Sequence, residues 1–194
     1  MNSNSLLDSI NIAPRFEHAS FENYQPINKA AQHNLKICQS YVQTWKERKV
    51  AGEGIIMCGR LGTGKTHLAV ATCREIVTQN GISAFITTAS RIIRAFRRSW
   101  SNDADTNEFE TLRFYSELDL LIIDEIGVQY GTESERNILF EVINNRYEDL
   151  LPTILISNLP MNDLPVFLGD RVLDRVLQGG VVLAFDWDSY RRGQ

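Results

Sequence analysis

Gly59-Arg60-Leu61-Gly62-Thr63-Gly64-Lys65-Thr66 stands between a short apolar run, Ile55-Ile56-Met57-Cys58, and a stretch of helical periodicity from Lys65 to about Gln79. The spacing GxxxxGK[ST], placed between a strand and a helix, is that of a phosphate-binding loop. Glycines there let the backbone curl, so that successive N–H groups and the helix N-terminus face anionic oxygens. Lys65 is expected to bridge the β and γ phosphates of ATP, and Thr66 to place its hydroxyl on Mg²⁺. The nucleotide contact is assigned to Gly59, Arg60, Leu61, Gly62, Thr63, Gly64, Lys65, Thr66 and His67, with His67 packing or capping rather than reacting. The competing possibility is a glycine turn that carries Lys-Thr by chance, and the flanking strand and helix weigh against it.

On the C-terminal side, Asn80-Gly81 ends the helix and residues 82–88 form a second buried strand, with Ser90 as N-cap of a helix to about Trp100. Residues 101–107 are polar and predict a loop. Residues 108–116 predict a short helix, 118–124 a third strand, 133–147 a helix, 153–157 a fourth strand, 170–176 a helix and 181–185 a last strand. On the N-terminal side, residues 27–49 predict one helix, ended by Gly52-Glu53-Gly54. Alternating strands and helices imply an α/β fold with a parallel sheet flanked by helices. Residues 1–25 mix Ser, Asn and Pro with a few apolar side chains and are expected to be an arm or linker; residues 26–194 form one domain.

A chain of 194 residues that is 43% hydrophobic buries one substantial core. With 20 basic and 24 acidic side chains the net charge is −4, so nucleic acid is not attracted globally and any contact must be a local patch. Cys38, Cys58 and Cys73 are odd in number and lack CxxC spacing, which argues against a disulfide framework or a zinc site and for a reducing compartment. His18, His33 and His67 show no metal-ligand spacing. The start of the chain lacks the features of a signal peptide, and no apolar run approaches transmembrane length. A cytoplasmic protein without a membrane partner is expected.

Leu120-Leu-Ile-Ile-Asp124-Glu125 delivers two carboxylates at the C-terminal end of an apolar strand, where open α/β sheets bind ligands. Asp124 is expected to hold Mg²⁺ and Glu125 to polarise the attacking water; paired with the loop, they favour ATP hydrolysis over a solvated acidic turn. Asn158, ending the next apolar strand, either holds that water or is a turn residue before Leu159-Pro160. Arg171 and Arg175 share a helix face. Either a guanidinium reaches a γ-phosphate across a subunit boundary, or both arginines pair with Asp170 or Asp174 at the surface.

Phe21-Glu-Asn-Tyr24, residues 59–68, Asp124-Glu-Ile-Gly-Val-Gln129, Gly169-Asp-Arg-Val-Leu-Asp-Arg175 and Phe185-Asp-Trp-Asp-Ser-Tyr-Arg191 together resemble the AAA+ region of DnaC-type bacterial helicase loaders and their phage homologues, over nearly all of residues 18–192. The resemblance implies an AAA+ P-loop NTPase with a reduced lid. It makes Asn158 the sensor-1 residue, Arg175 the arginine finger and Arg191 the sensor-2 arginine, with Lys65 and Glu125 completing the catalytic set and Arg171 structural. It further implies a replicative hexameric helicase and single-stranded DNA as partners, and a homo-oligomer formed in response to nucleotide. Only 58 residues precede the loop, so the N-terminal helicase-binding module of the family is expected to be shortened or missing.

Arg91-Ile-Ile-Arg94-Ala-Phe-Arg97-Arg98-Ser-Trp100 carries four arginines and no acid. On a helix, positions 91, 94 and 98 share a face suited to phosphates while Ile92, Ile93 and Phe96 turn inward. Trp100 is placed to stack on a base; the plainer alternative is a solvated basic helix with Trp100 covering the core. Arg94, Arg97, Arg98, Trp100 and, more weakly, Ser134 are the expected DNA contacts. The function implied is ATP-dependent helicase loading. The alternative is an IstB-type transposase helper, which duplex preference would indicate; a non-hydrolysing adaptor conflicts with Asp124-Glu125, and a small-molecule kinase lacks an acceptor motif.

Overall fold

The computed structural model describes residues 7–101, 103 and 105–190. Five strands form one parallel sheet: β1 (Ile55–Gly59), β2 (Ala84–Thr88), β3 (Leu120–Ile126), β4 (Thr153–Ser157) and β5 (Val181–Phe185), in the order β2-β3-β4-β1-β5. Among the described residues, α-helices connect or precede them: α1 (Lys29–Gln43), α2 (Trp45–Ala51), α3 (Lys65–Asn80), α4 (Ala89–Ser99), α5 (Glu108–Ser116), α6 (Glu133–Glu148), α7 (Leu164–Leu168) and α8 (Asp170–Leu177). This is the parallel, helix-flanked α/β sheet of an AAA+ P-loop protein. Strands buried on both faces read as unbroken apolar runs, and β1 and β4 are buried at every position.

Side chains that alternate along each strand feed two cores, one on each face of the sheet. Ile55, Met57, Ile122, Ile154 and Ile156 pack with Leu35 of α1 and Leu68 and Ile76 of α3. Ile56, Cys58, Leu121, Ile123 and Leu155 pack with Ile92, Ile93 and Phe96 of α4, Leu139 and Val142 of α6 and Val172 of α8. Each large apolar side chain buried in this way contributes roughly 1.5–3 kcal/mol. Cys38, Cys58 and Cys73 are buried and unpaired. No helix among the described residues is long and apolar enough to cross a membrane.

Four local expectations are corrected. The helix expected over residues 27–49 is broken at Thr44 (φ −103°, ψ 21°), whose hydroxyl donates to Ser40 O at 2.9 Å; the break turns Trp45 inward, 2% exposed, against Tyr41. Thr88, not Ser90, caps α4: its extended backbone serves the end of β2, and its hydroxyl accepts from Arg91 N. β2 begins at Ala84 rather than at residue 82. β3 is displaced by two residues, because a buried arginine takes the Leu118 carbonyl and a register shift between Ile123 and Ile126 carries the strand past Asp124.

That arginine is Arg146 of α6, 0% exposed. Nη1 donates to the carbonyls of Tyr115, Ser116 and Leu118 at 3.0, 3.3 and 2.8 Å, Nη2 to Pro152 O at 2.7 Å and Nε to Thr153 Oγ1 at 2.9 Å. One guanidinium thereby satisfies the irregular backbone leading into β3 and β4. Burial pushes its pKa down to about 9, against the pull of Asp119 and Tyr41.

Residues 7–25 lie along the domain. Ile10 is fully buried; its carbonyl accepts from Ile86 N at 2.8 Å, and Asn11 Nδ2 donates to Ile86 O at 2.8 Å. The outer edge of β2 is thus partly satisfied by the chain's own N-terminal segment.

Candidate functional site

The phosphate loop closes where β1 gives way to α3. Gly62 and Gly64 take φ of 74° and 97°, a region that a side chain at position 64 could not enter: a Cβ there would lie 2.6 Å from Tyr24 Cε2. Lys65 is 4% exposed, its ammonium turned back onto Gly59 O (2.9 Å) and Arg60 O (2.6 Å) and 5.9 Å from the centre of the Phe185 ring. Burial lowers its pKa to about 8, although Asp124, Cys58 and Asp186 pull the other way. The ammonium thus occupies the loop that anionic oxygens would take.

Thr66 opens α3, and Asp124 ends the apolar part of β3. Thr66 Oγ1 donates to Asp124 Oδ2 at 2.8 Å, and Glu125 N donates to Asp124 Oδ1 at 2.6 Å. Burial raises the Asp124 pKa, opposed mainly by these two bonds. A desolvated carboxylate already bonded to a hydroxyl is a donor pair that suits a hard divalent cation. Glu125 stands next to it, exposed, in the left-handed region at φ 59°. That backbone, set at the register shift of β3, turns the second carboxylate out of the sheet.

A cavity of about 650 Å³ opens at this cluster, lined by Leu61 to His67, Asp124, Glu125 and Asn158. Asn158 therefore faces the same space as the loop and both carboxylates. Phe16, His18, Tyr24, Ile27, Trp187 and Tyr190 also line it, none of which the sequence alone marked as lining residues. The available signal was Phe21-Glu-Asn-Tyr24: His67 Nε2 lies 2.8 Å from Ser20 O and its ring meets Tyr24 edge-on at 5.4 Å, so the packing role expected of His67 is what holds the N-terminal segment to the loop. Tyr190 N donates to Gly62 O at 3.0 Å and Tyr190 Oη to Gln25 Oε1 at 2.8 Å, so the tail touches both the loop and the N-terminal segment.

The arginines lie elsewhere. Arg175 is half-buried on α8, its guanidinium 4.8 Å from the centre of Phe140 and 5.5 Å from that of Tyr147, with Nη1 buried and without a hydrogen-bond partner. Arg171 is exposed. Neither lines the cavity of its own chain, and Arg191 lies outside the described residues. On α4, Arg91, Arg94, Arg97, Arg98 and Trp100 are exposed, while Ile92, Ile93 and Phe96 are buried as expected. Arg97 Nη2 reaches the buried Glu135 of α6 at 3.0 Å, and Arg98 pairs with Asp105 at 3.1 Å. Trp100 is 50% exposed, and Ser134 is exposed in the first turn of α6, next to Glu135.

The chain matches the family described as IstB-like ATP binding protein over residues 4–194. It is 35% identical over 181 residues to the replicative helicase loader DnaC of Escherichia coli (strain K12), covering 93% of this chain and 72% of the relative. A crystal structure of the DnaC helicase loader superposes with a TM-score of 0.81 at 24% identity, over 90% of this chain and 100% of the other. The structure of DnaI gives 0.76 at 18% identity, over 97% and 99%.

Proposed function

The chain belongs to the IstB-like ATP binding protein family and, by its likeness to DnaC, to the helicase-loader group within it, and on that premise we propose that it is an ATPase that delivers a hexameric replicative helicase to single-stranded DNA. The ATPase half of this reading is supported by the 2.8 Å bond from Thr66 to Asp124, which joins the phosphate loop to the acidic end of β3 beside an exposed Glu125, and the helicase-loading half by the 35% identity to DnaC.

ATP phosphates displace the Lys65 ammonium from the Gly59 and Arg60 carbonyls, and the adenine end occupies the part of the cavity walled by the N-terminal segment and the tail. Mg²⁺, held with the Thr66 hydroxyl and the Asp124 carboxylate, would supply charge neutralisation to the phosphates. Glu125 polarises the attacking water, and Asn158 orients it from the end of β4. Arg175 serves a neighbouring subunit's γ-phosphate, and Arg191 acts from the tail. Arg94, Arg97, Arg98, Trp100 and Ser134 form the nucleic-acid face, with Arg97 held in place by Glu135.

Hydrolysis measured alone, with single-stranded DNA, with duplex DNA and with a DnaB-type helicase tests the assignment. Stimulation by single strands and co-sedimentation with the helicase are expected; a duplex preference would instead favour the transposase helper that the family description also accommodates. Arg175→Ala is expected to leave ATP affinity unchanged and to lower stimulated hydrolysis on the order of 10³-fold. Arg175→Lys, which keeps the charge but loses the planar fork, should recover little. Full stimulated turnover in both variants would show that Arg175 only packs on Phe140 and Tyr147.

A further inference from the structure

The loop from Glu125 to the start of α6 exposes two apolar side chains, Val128 at 64% and Tyr130 at 92%, and Tyr130 is the most exposed large hydrophobic side chain among the described residues. Apolar side chains exposed together on one loop are the kind of surface that marks an interaction site. The loop around it is nonetheless firmly built. Gln129, 6% exposed, accepts from Gly127 N at 2.8 Å, and Val128 N donates to Glu125 O at 3.2 Å. Arg136 Nη1 holds Gly131 O at 2.6 Å and Val166 O at 3.3 Å. Thr132 and Glu135 form a capping box immediately after Gly131. The tyrosine stands out because its loop presents it.

Its neighbourhood indicates what it meets. Glu135, whose carboxylate closes the capping box, is also the partner of Arg97. The loop carrying Tyr130 is therefore tied to the end of α4, with its row of exposed arginines and Trp100. Positive charge on α4, linked through the single carboxylate of Glu135 to the loop that carries an exposed aromatic ring, matches a flexible polyanion with unstacked bases: phosphates meet the arginines and a base meets the ring. A duplex hides its base faces.

We infer that Tyr130 is a base-stacking contact for single-stranded DNA, continuous with the arginines of α4. The inference rests on the loader reading and adds to it a residue five positions from Glu125, on the loop that leaves the site of hydrolysis.

The test is binding of a fluorescently labelled oligothymidylate to the full chain with ATP, by anisotropy over a range of salt concentrations. Tyr130→Ala is expected to weaken binding roughly five- to a hundredfold, with the slope of log affinity against log salt unchanged, because stacking releases no counterion. Tyr130→Phe should bind as wild type, since the ring and not the hydroxyl does the stacking. Arg94→Ala should instead flatten the slope by about one. Wild-type affinity in Tyr130→Ala, with Trp100→Ala weakened, would overturn the inference and leave the loader reading standing. Loss of binding in Tyr130→Ala together with loss of self-association by sedimentation would also overturn it, placing Tyr130 at a subunit boundary. Failure of the wild-type protein to bind single strands would sink the nucleic-acid half of the loader reading and the inference with it.

Discussion

Lys65→Ala is expected to reduce ATP affinity by at least a hundredfold while leaving a folded protein. The ammonium sits inside the loop on the Gly59 and Arg60 carbonyls, so its removal takes away the charge that phosphates would replace those carbonyls to reach. The lowered pKa adds a test by pH. In the free protein Lys65 titrates near 8 rather than 10.5 because it is desolvated; a bound polyphosphate favours the charged form and raises the value again. ATP affinity should then be flat below pH 8 and fall by up to tenfold per unit above it, with proton uptake on binding. Calorimetric titration in buffers of different ionisation enthalpy reads both, and a flat profile to pH 9.5 would contradict the assignment. The stability effect has the opposite sense. The folded state disfavours the charged lysine, so this penalty is complete below pH 8 and is relieved as pH rises from 8 towards 10.5.

The second large effect is structural. Arg146→Ala leaves five acceptors, four of them carbonyls, without the donor that satisfies them, in a site that admits no solvent. Each buried acceptor left unmade costs about 1–3 kcal/mol, and collapse around the vacated volume recovers only part of the total. A loss on the order of 4 kcal/mol is expected, read as a lower midpoint in urea unfolding at unchanged slope. Arg146→Lys should recover little, because one ammonium cannot reach acceptors spread across two segments. A loss under about 1 kcal/mol would mean that this backbone finds other partners. Since Thr153 and the residues before β3 frame the sheet and not the cavity, ATP affinity in the folded fraction should be unchanged.

The sheet and the phosphate end of the site were legible because their signals are local. β1, α3 and the loop between them are encoded by eight contiguous residues and an apolar run, and Asp124-Glu125 by the end of another. The ends of α3, α5, α6, α8, β4 and β5 are as expected or off by one residue. The failures were tertiary. Nothing near Arg146 in sequence distinguishes it from a surface arginine of an amphipathic helix, since its acceptors come from residues 115–118 and 152–153. The break at Thr44 exists to seat Trp45 against Tyr41, a contact that helical periodicity does not register. The N-terminal part of the cavity wall was missed because residues 15–27 are polar in composition, while Ala19 and Tyr24 are buried by what they pack on. Pocket walls built from segments 165 residues apart, such as Gln25 and Tyr190, have no signature in either segment alone.

The left-handed backbone of Glu125 bears on how the protein responds to selection in the laboratory. A carboxylate residue held at positive φ costs about 1 kcal/mol relative to glycine, and asparagine tolerates the same conformation more readily than glutamate. A screen of random variants for heat resistance should therefore enrich Gly and Asn at position 125, and those winners would be thermally improved yet catalytically silent. Any directed-evolution campaign on this chain has to score turnover alongside survival, because, on the role proposed for Glu125, the most tolerant residue for the fold is the wrong residue for the reaction.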